Sequence, residues 1–185
     1  VKAMHPDVAL RLRGTFSIPL YLTEAGADGV LPSPVGQVVR NGSVDRPFVL
    51  LVPPTVVADG GQARLLLYGH GLLRGACAEG CVEPGQAELM PHLAHGLRAV
   101  MMGTDWWGLS SADLTGALGV SQDFSTLPRL SDKLAVATVA PIALTRAAQA
   151  DLLTQDLFHT GPDAASAAPL VDLDQPPVYY GNSLG

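Results

Sequence analysis

Val178-Tyr179-Tyr180-Gly181-Asn182-Ser183-Leu184-Gly185 is the most informative segment of the chain for its architecture. Three apolar residues lead into a G-x-S-x-G pattern, in which glycines stand two positions before and after a serine. This order is typical of a nucleophile elbow, a tight strand-to-helix turn that exposes a serine hydroxyl. The glycines have a steric reason, because such a strained turn brings its backbone close to neighbouring elements. The alternative is an ordinary loop serine, and the apolar strand before Ser183 favours the elbow.

A second pattern lies more than a hundred residues upstream, where residues 65–71 read Leu-Leu-Leu-Tyr-Gly-His-Gly. A short apolar run closed by glycines predicts a fully buried parallel strand that ends in a sharp turn. An elbow serine needs backbone N–H groups from such a turn, often marked by a His-Gly dipeptide, to bind an oxyanion. We therefore interpret His70 as a structural residue that holds this loop together with Gly71, and not as an acid or a base.

A third pattern, Thr104-Asp105-Trp106-Trp107-Gly108, follows another apolar segment. With these three landmarks in order, the chain resembles the N-terminal half of an α/β hydrolase, and is most similar to the lipase and esterase branch. The resemblance implies an α/β fold, with a mostly parallel sheet, helices on both faces and antiparallel strands at the N-terminus. It also implies that Ser183 is the nucleophile and that the backbone N–H groups of Leu72 and Leu184 form the oxyanion hole.

In that family the catalytic acid and histidine follow the nucleophile strand. The resemblance therefore implies a partner, the remaining C-terminal polypeptide of the same fold, because this chain carries only the N-terminal half. The expected activity is hydrolysis of carboxylic esters through an acyl-enzyme, with no cofactor. Two alternatives are open: a noncatalytic binding or scaffolding module, and a serine acyltransferase or peptidase.

Composition agrees with a folded α/β domain that acts on a small neutral molecule. The 185 residues are 48% hydrophobic and only 15% charged, which excludes a disordered chain. A net charge of −6 and a pI of about 5.1 argue against nucleic acid, whose phosphates require a basic surface. No apolar run approaches the ~20 residues that span a bilayer, and the first residues lack the core of a signal peptide.

The two cysteines, Cys77 and Cys81, lie close together in a Gly-rich polar segment. Two interpretations compete, a small-loop disulfide in an exported protein and a pair of ordinary thiols. Metal binding is the weakest option here, because C-x3-C lacks a second ligand pair at zinc spacing. We favour the disulfide, and with it an extracellular or periplasmic location.

The whole chain, residues 1–185, is predicted to be one part of a single α/β-hydrolase domain. Residues 7–57 alternate apolar stretches with turn residues and predict an antiparallel lead-in. Residues 62–185 predict the parallel core, with strand, helix, strand, helix and strand in succession. Residues 109–130 show no clear period, and they are interpreted either as a lid over the site or as a long surface connection.

Two helices are predicted within the core. The first covers Pro84–Leu97 and precedes a strand over Arg98–Gly103. The second begins at Ser131 as an N-cap and runs to about Leu153, with a kink or break at Pro141. Residues 161–177 are interpreted as a linker to the elbow strand.

Five further side chains carry open interpretations. His92 and His95 lie three positions apart on the first helix and are interpreted as solvated surface histidines, with metal binding as the alternative. Trp106 and Trp107 either line an acyl pocket or pack against the sheet, and their place at a strand's carboxyl end favours the pocket. Asp105 is interpreted as a turn residue first and a catalytic acid second.

Overall fold

A mixed β-sheet forms the centre of the fold in the computed structural model, which describes residues 5–26, 28–32, 37–72, 74–75, 89–108, 110–160 and 167–183. Its strands, with a separate two-stranded pair, are β1 (Leu10–Pro19), β2 (Ser43–Val52), β3 (Arg64–Gly69), β4 (Ala99–Thr104), β5 (His159–Thr160), β6 (Ala168–Pro169) and β7 (Val178–Gly181). The order in the main sheet is β1-β2-β4-β3-β7. The β1–β2 pair is antiparallel, as predicted for residues 7–57, and β3 is parallel to both β4 and β7. The β2–β4 pair is antiparallel as well, so the sheet is mixed and not mostly parallel as predicted.

Helices cover both faces of this sheet. They are α1 (Pro54–Ala58), α2 (Leu89–Leu97), α3 (Leu114–Gln122), α4 (Leu127–Val136) and α5 (Val139–Ala150). Successive side chains of a strand point to opposite faces. In β2, Leu50 therefore packs in a cluster with Leu144 of α5, whereas Leu51 packs in another with Ala94 of α2. Burial on both faces explains why the inner strands are continuous apolar runs.

The segment that lacked a clear period, residues 109–130, is largely helical. It holds α3, the beginning of α4 and short 3-10 turns at Ser111–Asp113 and Phe124–Thr126. The helical pattern was hard to recognise because α3 contains Gly116 and Gly119 and buries only Val120.

The predicted single helix from Ser131 to Leu153 is wrong in two respects. Two helices, α4 and α5, occupy this region, and the interruption falls at positions 137–138, before Pro141. Pro141 lies in the first turn of α5, where its missing N–H costs no intrahelical hydrogen bond. Ser131 lies inside α4 and is not an N-cap, because the helix already begins at Leu127 with Pro128 in its first turn.

Strand β7 lies at one edge of the main sheet. Its four residues are all exposed, and within the described part of the chain it pairs only with β3. The register places Gly69 opposite Gly181, so both strands end at the same level. The segment before β7 is more than a linker, since Leu170 and Val171 are buried in the core.

Several predictions fall on residues outside the described ranges. These are the disulfide between Cys77 and Cys81, the oxyanion-hole donor Leu184, and the start of the helix predicted from Pro84. In the ranges that are described, α2 ends at Leu97, as predicted, and no helix has the length and apolar character needed to cross a bilayer.

Candidate functional site

The His-Gly loop and the serine turn are in direct contact at the carboxyl ends of β3 and β7. The backbone N–H of Asn182 donates to the carbonyl of Gly69 at 3.0 Å, which extends the strand pairing into the turn. A Cβ atom added at Gly71 would lie 3.3 Å from the Cβ of Ser183 and 3.5 Å from the carbonyl oxygen of Asn182. Parallel pairing therefore brings together two motifs that are more than a hundred residues apart in the sequence.

Ser183 has the backbone conformation of a strained turn. Its φ is +59°, in the left-handed region, and the residue is exposed. Residues other than glycine occupy this region at a cost of roughly 1–2 kcal/mol. Strained residues of this kind cluster at functional sites, where the surrounding structure holds them in place.

His70 is fully buried and bridges the ends of β3 and β4. Its Nδ1 lies 2.8 Å from the carbonyl oxygen of Gly71, and its Nε2 lies 2.9 Å from the backbone nitrogen of Trp106. A carbonyl only accepts and an amide N–H only donates, so the proton must be on Nδ1 and the ring must be neutral. Burial lowers the pKa of His70, against the opposing effect of its hydrogen bond to Gly71 and of the nearby carboxylates of Asp105 and Asp113. Both ring nitrogens are occupied, which fits a structural role.

Leu72 follows this buried histidine in a turn. The N–H of Arg74 donates to the carbonyl of Gly71 at 3.2 Å, and the N–H of Ser111 donates to the carbonyl of Arg74 at 2.8 Å. The backbone N–H of Leu72 has no acceptor among the residues that the structure describes.

A buried polar network that the sequence analysis missed supports the far end of this loop. The carboxylate of Asp113 accepts hydrogen bonds from the N–H of Ser110 at 3.1 Å and from its hydroxyl at 2.7 Å. Lys133 lies 3.3 Å from the other carboxylate oxygen, and both side chains are only 6% exposed. The spacing Ser-x-x-Asp is a recognised capping pattern and was the available sequence signal. A buried charge needs such a partner.

Tyr68 and Asn182 form a second contact that the sequence did not reveal. The two side chains are hydrogen bonded, and burial raises the pKa of the Tyr68 phenol despite this bond. The Tyr68 ring is also stacked on that of Tyr180, with 6.2 Å between centroids. Two residues that precede Ser183 are thus held against β3.

The two tryptophans have different environments. Trp107 is 4% exposed and packs in a core cluster with Ile18 and Val136, while the Arg46 guanidinium lies 5.0 Å from the centre of its ring. The structure therefore places Trp107 in the core and not on a pocket surface.

Trp106 is half-buried, and its ring lies 6.1 Å from that of Tyr179 on the edge strand. Its buried indole nitrogen has no hydrogen-bond partner among the described residues.

None of the five histidines is placed as a base for Ser183. His70 is fully engaged, His159 is hydrogen bonded to the carbonyl of Gln155, and the other three, His5, His92 and His95, surround Asp7.

Asp105 lies in the turn after β4, where its carbonyl accepts a hydrogen bond from Arg46. A cavity of about 380 Å³ between β1 and α5 shares no lining residue with this site.

Comparison of the chain with known proteins identifies no relative. Neither family models nor curated proteins nor solved structures give a match to the chain. What the site does must therefore be argued from its own geometry.

Proposed function

We propose that this chain supplies the nucleophile and one oxyanion donor of a serine hydrolase that acts on carboxylic esters. One observation carries the proposal: Ser183 has a left-handed backbone conformation, is exposed, and lies against Gly71 of the His-Gly loop. An elbow nucleophile requires this combination of strain, exposure and a neighbouring loop of backbone donors. The mixed sheet, with β3 and β7 parallel and adjacent, supports an α/β-hydrolase-like arrangement of lipase or esterase type.

The chemistry follows from that geometry. The Oγ of Ser183 attacks the ester carbonyl carbon, a base removes the hydroxyl proton, and the same proton is passed to the departing alkoxide. The carbonyl oxygen becomes negatively charged in the tetrahedral intermediate, where the N–H groups of Leu72 and Leu184 would donate to it. Loss of one such donor costs about 3 kcal/mol of barrier. Water then attacks the acyl-enzyme and releases the acid.

The base and its acid are proposed to come from a further polypeptide that continues the sheet beyond β7. The support is structural, since none of the five histidines is placed as a base for Ser183 and, within the described part of the chain, β7 pairs only with β3 and leaves its other edge open. Unpaired strand edges are normally covered in folded proteins. A groove of about 320 Å³ beside this edge is lined by the exposed apolar side chains of Ile142, Val178 and Tyr179, together with the polar side chains of Thr145, Arg146 and Gln149 on α5.

Labelling with a fluorophosphonate probe tests the proposal. The chain is assayed together with the polypeptide that completes it, and the labelled residue is identified by peptide mass spectrometry. We expect modification at Ser183, turnover of short p-nitrophenyl esters, and loss of both in Ser183→Ala. The matched control is Ser121→Ala, which removes an exposed helical serine of α3.

The outcomes separate the alternatives. No label on Ser183 in the completed assembly would favour a noncatalytic binding or scaffolding module. Labelling with acyl transfer to an added alcohol or amine in preference to water would favour an acyltransferase.

A further inference from the structure

Three polar side chains from two distant parts of the chain converge on one point outside the serine site. His5 and Asp7 precede β1, and His92 lies on α2. One ligand atom from each lies within 4.8 Å of the others. The Nδ1 atom of His92 contacts Oδ2 of Asp7, and the rings of His5 and His92 stand edge to face with centroids 5.0 Å apart.

A fourth side chain extends this cluster. His95 lies one helical turn after His92, and its Nδ1 is 3.7 Å from Oδ1 of Asp7. That distance is too long for a hydrogen bond. The nitrogen is buried and has no hydrogen-bond partner in the described part of the chain. A buried nitrogen without a partner calls for an explanation.

We propose that His5, Asp7 and His92 bind a Zn²⁺ ion, with His95 as the fourth ligand. Imidazole nitrogens and carboxylate oxygens are zinc ligands at about 2.0–2.2 Å, in tetrahedral sites whose neighbouring ligand atoms lie roughly 3.3 Å apart. The ligand atoms of His5, Asp7 and His92, which lie within 4.8 Å of one another, reach that spacing through side-chain rotations, whereas His95 lies outside this group and must turn toward the ion. The ion would replace the hydrogen bonds that the cluster makes without it, which are the one of 3.2 Å from the Asp7 N–H to Nδ1 of His5 and the one between Nδ1 of His92 and Oδ2 of Asp7.

The ion would act as a structural clamp. It joins the segment before β1 to α2, and Val8 of that segment packs in the same core cluster as Met90 and Ala94 of α2. Asp7 and His92 are 85 residues apart in the sequence. A metal that links such distant positions only in the folded chain contributes its binding free energy to folding.

Zinc titration of the 185-residue chain tests this site. Binding is measured by calorimetry and by competition with a chromophoric zinc chelator, and the melting temperature is recorded with and without Zn²⁺. We expect one ion per chain and a rise in melting temperature of roughly 5–10 °C at a zinc concentration of about 100 times Kd.

Two variants and one control test which side chains bind the zinc ion. His92→Gln keeps a polar group beside Asp7 but removes an imidazole that is 61% exposed, so the fold is expected to persist. Loss of a ligand should weaken zinc binding by at least about 100-fold, since outer-shell changes alone cost 10–100-fold. Asp7→Asn should weaken it in the same way. His159→Gln is the matched control, because His159 lies outside the cluster and should leave affinity unchanged.

Two results would overturn the proposal. One is the absence of saturable binding by the parent chain up to about 1 mM Zn²⁺. The other is equal zinc affinity in the parent, His92→Gln and His159→Gln, which would place any bound zinc elsewhere. Neither measurement depends on esterase activity, so the result is independent of the role of Ser183.

Discussion

Gly71 lies so near Ser183 that a Cβ atom at position 71 would be 3.3 Å from the Cβ of Ser183. Gly71→Ala therefore forces the two loops apart by a few tenths of an ångström. Because oxyanion donors must be positioned accurately, we expect the rate of fluorophosphonate labelling at Ser183 to fall by about tenfold or more. The rate is measured by time-resolved labelling of the completed assembly.

Gly116→Ala is the control for that substitution. A Cβ atom at Gly116 meets no atom within 4 Å, and the residue lies inside α3. Alanine is favoured over glycine there by roughly 0.5–1 kcal/mol, so the control should raise the melting temperature slightly and leave labelling unchanged. Equal labelling rates in the two variants would contradict the close packing of the loops at Gly71.

Ser183→Gly is expected to stabilise the fold while abolishing labelling. Glycine occupies a φ of +59° without the steric cost that serine incurs, so the free energy of unfolding should rise by about 1 kcal/mol. Ser183→Ala removes the hydroxyl but keeps the strain, and it should have parental stability. Urea denaturation measures both variants, and a stability gain in the alanine variant as large as that in glycine would rule out backbone strain as the cause.

His70→Ala should destabilise the chain although His70 is not a base. The substitution leaves the carbonyl of Gly71 and the N–H of Trp106 without partners in a buried site, at a cost of about 2–4 kcal/mol. Urea denaturation followed by tryptophan fluorescence measures the loss, since Trp106 and Trp107 lie beside the broken contact. The same substitution at His159 should cost well under half as much.

The lowered pKa of His70 predicts a defined pH dependence of stability. The unfolded chain takes up a proton near the ordinary value of 6.5, whereas the folded chain does so only at lower pH. Stability from the neutral ring is therefore complete above about pH 6.5 and declines as pH falls toward the folded pKa, by at most about 1.4 kcal/mol per pH unit. Comparing urea unfolding of the parent and His70→Gln between pH 7.5 and about 4.5 isolates this contribution, because all other titrating groups are shared. An unchanging difference between the two proteins across that range would contradict the neutral assignment.

The Asp113–Lys133 pair is expected to show strong coupling. Lys133→Met leaves a buried carboxylate without its counter-charge and should cost about 3–5 kcal/mol. Adding Asp113→Asn removes that charge. The loss of unfolding free energy in the double variant should therefore be smaller than the sum of the losses in the two single variants. Thermal and urea unfolding of all four proteins measure the coupling. Arg129→Ala, which breaks an exposed pair with Asp28, is the control and should cost at most about 1 kcal/mol.

The sequence predicted those elements of the fold whose pattern is set by burial. Strand β3 lies over Arg64–Gly69 and β4 over Ala99–Thr104, each within two residues of the predicted bounds, because both are continuous apolar runs. Helix α3 was not predicted, because its two glycines lower the helix propensity and its sequence shows no clear apolar face. The interruption before Pro141 was misplaced because proline tolerates a helix's first turn.

The site was predictable where a motif specifies backbone geometry. The Gly-x-Ser-x-Gly pattern predicted a strained, exposed Ser183, and the His-Gly pair predicted a loop held by His70. The support for that loop was not predictable in the same way. Lys133 lies 20 residues after Asp113, and only the packing of α4 brings its ammonium group to the carboxylate.

The pairing of β7 with β3 bears on the order of events during folding. Leu66 and Val178 are register partners that lie about 110 residues apart in the sequence. Because their contact closes a long loop at a cost in chain entropy, we expect it to form late in folding. Ser183 follows a four-residue strand that pairs with one neighbour among the described residues, and the amide hydrogens of this strand should exchange with solvent sooner than those of β3, which is paired on both sides. We therefore expect the turn that carries Ser183 to form late, after the strands that it packs against.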